Sequence, residues 1–389
     1  MMRSFAISAP KIFDGEVWHE DAAVLVRDGD VEAVVARSKI PAGTIVTRTD
    51  GMLAPGFVDL QVNGGGGVML NDRQDVETIR TICAAHAPFG TTALLPTLIT
   101  DSPEITARAV DAGAAAAEAG VPGFLGLHLE GPHLSFARKG AHDIRLIRPM
   151  TDTDEAFLLR ARARLPALLT TVAPESVEPE RVARLAGAGV VMSLGHSDTH
   201  HAIAQVYAEA GAGLVTHLFN AMSQIGNREP GLAGAALSCG TLWAGLIADG
   251  FHVDPATIGI AMRAKVGPAR IFLVTDAMAP TGTDMTSFTL NGRTIFRNGG
   301  RLTLEDGTLA GADLDMISAV RFMHRSIGLD LGEALKMASL YPAMAMGVEV
   351  RHGRLAGGSR ADIVQLSDHL DVEGVWIGGD KVFSRHATA

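Results

Sequence analysis

APGFVDLQVN, residues 54–63, runs straight into four glycines, Gly64–Gly67, and its reading decides the fold. A short apolar run stops at polar residues and then at a flexible turn. That is how a buried parallel strand empties into a loop at the ligand-bearing end of an α/β barrel. Similar endings recur at HLEGPH (128–133), GHSD (195–198), THLFN (216–220), ADGFH (248–252) and VTDA (274–277). One such ending is an ordinary polar loop start; six in one chain form a pattern. The pattern predicts strands at 54–60, 91–97, 124–129, 168–173, 190–195, 213–217, 243–248 and 271–275. Helical periodicity fills most gaps, at 75–87, 103–119, 153–164, 178–187, 199–210, 256–266 and 313–327, with a further helix at 332–340. Eight strands alternating with helices fit a closed (β/α)8 TIM-type barrel. An open doubly wound sheet would want GxGxxG after its first strand, and Gly64–Gly67 is not that.

Outside this repeat the pattern changes. Residues 3–49 alternate in short runs separated by DG and AG turns, as antiparallel strands half exposed to water do. The stretch GRLAGGSRADIVQLSD and the later VEGVWIGGDKVFSR behave alike. Residues 1–52 plus 348–389 are therefore expected to form one small β-sandwich domain from both termini, with 53–347 as the barrel. A barrel takes about 250 residues, which leaves room for it in a chain of 389. The formal charge of -10 argues against a nucleic-acid surface, though not against an anionic small substrate met by a local positive pocket. The two cysteines make no disulfide framework, and a reducing cytoplasm suits them better. No signal-peptide pattern opens the chain, and no apolar run is long enough to span a bilayer.

Glu130 ends the third expected strand, His196 the fifth, His217 the sixth and Asp276 the eighth. In a barrel such ends converge on one pocket. Two imidazoles and a carboxylate suit a divalent transition ion with a water completing its shell. Asp276 is placed to take that water's proton and later hand it on. His142, in RKGAHD, is a candidate for polarising a carbonyl. Asn220, Ala221 and Arg228 lie in FNAMSQIGNREPG, where an arginine beside backbone amides suits a phosphate. His252, ending ADGFH, is placed for the same anion. Each has a plainer reading: a structural histidine, a solvated loop, a surface ion pair at Arg228. Joint placement at strand ends is what favours the site. His128 shares the facing direction of Glu130 without an evident role, and His133 reads as a loop bystander. Lys139 sits in a charged loop, which disfavours a carbamylated bridge between two metals. No GxSxG elbow, HExxH helix or CxxC pair is present.

Taken together, APGFVDLQVNG, LHLEGPH, KGAHD, LGHSD, THLFNAM, ADGFHVD and VTDAMAP resemble the N-acetylglucosamine-6-phosphate deacetylase family of the amidohydrolase superfamily, over nearly the whole chain. The resemblance implies Glu130, His196 and His217 as metal ligands and Asp276 as general base, then acid. It implies His142 at the acyl carbonyl, and Asn220, the Ala221 amide, Arg228 and His252 around the sugar phosphate. Arg228 would reach the neighbouring active site of a homodimer. Many superfamily members carry HxH at the first strand's end; here those positions are Gln61 and Asn63, and neutral amides are poor ligands. That implies one divalent ion per subunit, Zn2+ foremost with Fe2+, Co2+ or Mn2+ compatible, and at most a weak second-metal region at Gln61 and Asn63. The implied reaction hydrolyses the acetamide of N-acetyl-D-glucosamine 6-phosphate in cytoplasmic amino-sugar metabolism. Alternatives are another N-acetylhexosamine phosphate or N-acyl compound. A silent scaffold barrel need not retain all four of Glu130, His196, His217 and Asp276. Neither nucleic acid nor membrane is an expected partner.

Overall fold

The computed structural model describes residues 4–385. Parallel strands Phe57–Val62, Thr91–Ile99, Leu127–Glu130, Leu168–Val172, Val191–Leu194, Ala212–Val215, Trp243–Leu246 and Ile271–Leu273 lie in chain order in one eight-stranded sheet. Helices cover its outer face, so the strands are buried on both sides; all nine residues of Thr91–Ile99 are buried. The ring closes just past the strand ends. Asp276 N–H donates to the Gln61 carbonyl at 3.0 Å, and Asn63 N–H to that of Ala277 at 2.8 Å. The barrel expected from the strand endings is thus the barrel found. Several of its helices start where short polar side chains satisfy free backbone N–H groups: Asp75, Ser102 and Asp315 accept from Thr78, Ile105 and Ser318.

Three elements differ from the expected ones, each for a physical reason. The strand expected at 54–60 is split: Met52–Pro55 belongs to the terminal sheet and Phe57–Val62 to the barrel. Gly56 stands between them, and a Cβ there would lie 2.1 Å from Thr92 Oγ1. Helix Gly231–Ser238 was not expected at all. Its residues Gly231 to Leu237 are all buried, so it has no polar face and no helical alternation to read. Between the eighth strand and helix Met316–Arg325 the chain inserts a three-stranded antiparallel sheet, Ser287–Leu290, Arg293–Asn298 and Arg301–Thr303. It packs Phe288, Leu290, Ile295 and Leu302 against Met69, Ile99 and Met278 at the barrel mouth.

Strands from both termini form the second eight-stranded sheet, in which Met52–Pro55 pairs with Ile363–Leu366. Where a sandwich is expected, the terminal strands join in this one sheet rather than in two separate ones. Ile7, Val24, Leu53, Ile363 and Trp376 share its small core.

Asp59 seals the barrel seam from below. Fully buried, it accepts from Thr275 Oγ1 at 2.6 Å, from Thr275 N–H at 3.2 Å and from Gln61 N–H at 3.3 Å. Burial, opposed by those donors, pushes its carboxyl up to about 7. An unfolded aspartate titrates near ~3.9. The stability its protonation contributes is therefore full below that value and lost as pH rises through the folded one. Asp59→Asn is expected to gain on the wild type as pH rises from about 5 to about 7.5, read as the difference in urea midpoints. A difference that stays flat with pH would contradict this.

Candidate active site

At the strand C-terminal ends a cavity of about 330 Å3 opens, lined by Asn63, Glu130, His142, His196, His217, Asn220, Ala221, His252 and Asp276 among others. His196, His217 and Asp276 have φ of 47°, 29° and 51°. Left-handed backbone costs a non-glycine residue, and here it turns each chain end sharply so that its side chain enters the pocket.

The three strand-end groups meet closely. Glu130 Oε1 lies 3.3 Å from His196 Nε2 and 3.2 Å from His217 Nε2, and the two nitrogens are 3.0 Å apart. His196 Nδ1 sits 2.8 Å from the Arg138 carbonyl, which can only accept. The ring proton is therefore on Nδ1, and Nε2 offers its lone pair. A carboxylate oxygen and two imidazole nitrogens facing one point need a shared cation, so this donor set fits a divalent metal ion. Glu130, His142 and His196 also bring one ligand atom each within 4.8 Å of one another. His142, however, takes the Thr100 N–H at Nδ1, 3.3 Å away. Its proton then sits on Nε2, facing Glu130 Oε2 at 3.7 Å, which makes it a donor rather than a ligand. The geometry favours His217 as the third member.

Electrostatics follow from burial. Burial raises the Glu130 carboxyl, but the His196 and His217 imidazoles beside it outweigh that and hold the group well below the usual carboxylate range. Asp276 has no such partner: burial, then the Glu130 charge, push it up to about 6. Burial, helped by His196, drops His142 to about 3, so its ring is neutral. Gln61 Nε2 donates to Glu130 Oε1 at 3.1 Å, and Asn63 Nδ2 to Asp276 Oδ1 at 2.6 Å. Both amides thus turn their donor ends to the carboxylates, an arrangement that suits hydrogen bonding rather than ligation of a second ion.

His252 is held at the other side by Asp249, whose Oδ2 lies 2.6 Å from its Nδ1. Asn220 and Ala221 line the same cavity. Arg228 does not: it is exposed, in the loop that Glu229 ties down by accepting from His201 N–H and Gly231 N–H. Lys139 is also outside the lining. Arg138 lines the cavity and bonds Asp198 at 2.8 Å; it opens the RKGAHD stretch, but no strand ends there to single it out. Thr100 was missed likewise, although its N–H and hydroxyl both meet His142. Leu290 and Leu309 come from the inserted region and close one wall.

The model of the amidohydrolase family matches residues 52–382. The chain is 44% identical over 335 residues, 86% of this chain and 84% of the other, to N-acetylgalactosamine-6-phosphate deacetylase of Shewanella sp. (strain ANA-3). It is 33% identical to N-acetylglucosamine-6-phosphate deacetylase of Haemophilus influenzae, covering 92% of this chain and 94% of that one. The crystal structure of N-acetylglucosamine-6-phosphate deacetylase from Pasteurella multocida superposes with a TM-score of 0.93 at 32% identity, covering 97% of this chain and 99% of that one. Converging strand ends, a metal-fitting triad and these likenesses agree, and the chain belongs to the amidohydrolase family.

Proposed function

We propose that this protein hydrolyses the acetamide of N-acetyl-D-glucosamine 6-phosphate, releasing acetate and D-glucosamine 6-phosphate, with one divalent ion per subunit, Zn2+ first among Zn2+, Fe2+, Co2+ and Mn2+. The observation that carries the reading is the meeting of Glu130, His196 and His217 beside Asp276, an acid held through one oxygen by Asn63. The relatives named above act on hexosamine phosphates of this kind. When bound, the ion acidifies a water and polarises the carbonyl it attacks.

The chain's own residues do the rest. Asn63 engages Asp276 Oδ1, leaving Oδ2 to take the proton of the attacking water. Once protonated, Asp276 returns that proton to the leaving nitrogen, without which an amine departs poorly. His142, neutral and carrying its proton on Nε2, donates toward the charge that grows on the carbonyl oxygen. Asn220, the Ala221 amide and His252 form the anion end of the pocket. Among the described residues no arginine other than the Asp198-paired Arg138 lines it. That supports a homodimer in which the partner subunit supplies Arg228. The reading places the enzyme in the cytoplasm, in amino-sugar metabolism, with residues 53–347 as catalytic barrel and 1–52 plus 348–389 as supporting domain. No helix among the described residues is long and apolar enough to cross a membrane.

A second reading has a specific observation behind it: the 44% relative is a galactosamine-type deacetylase. The two sugars differ only in the orientation of the 4-hydroxyl. The deciding experiment measures acetate release from both 6-phosphates and from unphosphorylated N-acetylglucosamine, with metal content determined on the same preparation. Higher kcat/KM on the gluco isomer supports the first reading. Preference for the galacto isomer moves the assignment to the second, and no release from metal-replete protein removes both.

Arg228→Ala is expected to raise KM for the phosphorylated substrate about tenfold or more, the worth of one charge-assisted contact, with kcat changed far less. Mixing Arg228→Ala subunits with Asp276→Asn subunits should restore activity if the arginine crosses to its neighbour, because one site of each mixed dimer is then intact. No restoration after verified exchange would place Arg228 in its own subunit's site or outside both.

A further inference from the structure

We propose that a single water inside the barrel fixes His217 through its second ring nitrogen, and that Ser193 holds this water as the end of a directed hydroxyl chain starting at His128. The inference rests on the reading above in one respect, that His217 offers Nε2 to the metal. A ring that does so carries its proton on Nδ1. That Nδ1 is buried and has no hydrogen-bond partner among the described residues. An unmet donor inside a protein is costly, so a partner is expected.

Beneath His217 lies a cavity of about 10 Å3, bounded by His217, Ser193, Thr216, His128 and Gln61 with apolar side chains around them. That is room for one water, at a site polar enough to hold it. The direction of the hydrogen bonds around it follows from elementary donor counting. The Leu60 carbonyl, 3.1 Å from His128 Nδ1, can only accept, so His128 is protonated there. The ring is buried with no carboxylate in hydrogen-bond contact, which favours its neutral form. Its Nε2 therefore accepts from Thr171 Oγ1 at 2.8 Å. Thr171 has spent its one proton and accepts from Thr216 Oγ1 at 2.7 Å. Thr216 in turn accepts from Ser193 Oγ at 2.6 Å. Ser193 ends the chain with lone pairs free and no donor facing them. The cavity is thus lined both by a residue with a donor lacking an acceptor and by one whose acceptor lacks a donor among the described residues. One water satisfies both: it receives His217 Nδ1–H and donates to Ser193 Oγ.

Ser193 and His128 are then positioning residues. They touch neither substrate nor metal but hold His217 in one tautomer and one ring orientation. Groups that orient a ligand in this way typically account for about 10–100-fold in metal affinity.

The test uses the full-length metal-loaded protein. A high-resolution crystal structure is expected to show a density peak within hydrogen-bond distance of both His217 Nδ1 and Ser193 Oγ. The Co2+-loaded protein is expected to show two strongly shifted, exchangeable ring N–H signals, one from His196 and one from His217. In chelator competition, Ser193→Ala is expected to weaken Zn2+ binding about 10–100-fold, and Ser193→Thr, which keeps the hydroxyl, to restore most of it. A dry cavity, unchanged affinity in Ser193→Ala, or equal loss in Ser193→Thr would each overturn the proposal. Metal density away from His217 Nε2 would instead overturn the site assignment it rests on. Metal on Nε2 above a dry cavity would refute the water alone. Because metal affinity is the readout, a wrong choice of sugar substrate does not disturb it.

Discussion

Asp276→Asn is expected to lower kcat about 10³-fold or more while leaving metal content and KM near their wild-type values. The size of the loss comes from asking one group to act twice, taking the proton from water and giving it to nitrogen. An amide does neither. Metal content should survive because Asp276 stands outside the Glu130–His196–His217 cluster, bonded instead to Asn63. Turnover and metal stoichiometry measured on one preparation check both halves. Activity retained within about tenfold would mean that another group handles the proton, with His142 first in line.

Glu130→Gln should go further, removing both the metal and measurable turnover. Among the described residues Glu130 is the only anion touching the two imidazole nitrogens, and Gln61 already spends a hydrogen bond on holding it. A glutamine there presents a neutral amide to two lone pairs that are 3.0 Å apart. The attraction that gathers a cation is then gone. Stripping the wild type with a chelator should produce the same loss, reversed by added Zn2+. In the variant, added Zn2+ at about the concentration that restores the wild type should restore nothing. Full recovery in the variant would show that the two histidines hold the ion without a carboxylate. Metal determination by plasma emission, run beside the assay, separates an unloaded site from a loaded but idle one.

Much of this site could be read before any coordinates, because a barrel turns a one-dimensional regularity into a three-dimensional meeting. Glu130, His196, His217 and Asp276 are far apart in the chain, yet each ends an apolar strand, and strand ends share one rim. His142, Asn220, Ala221 and His252 follow those ends closely enough to share the cavity too. What could not be read depends on distance and direction. Nothing in KGAHD tells which nitrogen of His142 takes the Thr100 N–H, and that bond is what turns it from ligand to donor. Arg228 looked like its neighbours Asn220 and Ala221, but eight residues of loop carry it from Asn220 to an exposed position. Helix Gly231–Ser238 escaped because a segment buried all round has no face to alternate. The inserted sheet is hard to read because residues 277–312 fall between two strong signals, the last barrel strand ending and a long amphipathic helix.

The seam between the first and eighth strands sets an order of events for a newly made chain. Asn63 is in place early, but the carboxylate it must orient lies 213 residues further on. The hydrogen bonds that lock the ring, from Asp276 to Gln61 and from Asn63 to Ala277, are made by the residues that frame the chemistry or their immediate neighbours. No half-finished barrel can therefore hold an assembled site. Contacts this distant form late, after the loop between them has been ordered. The site is complete only where the first and eighth strands have met, so its assembly depends on closing the ring.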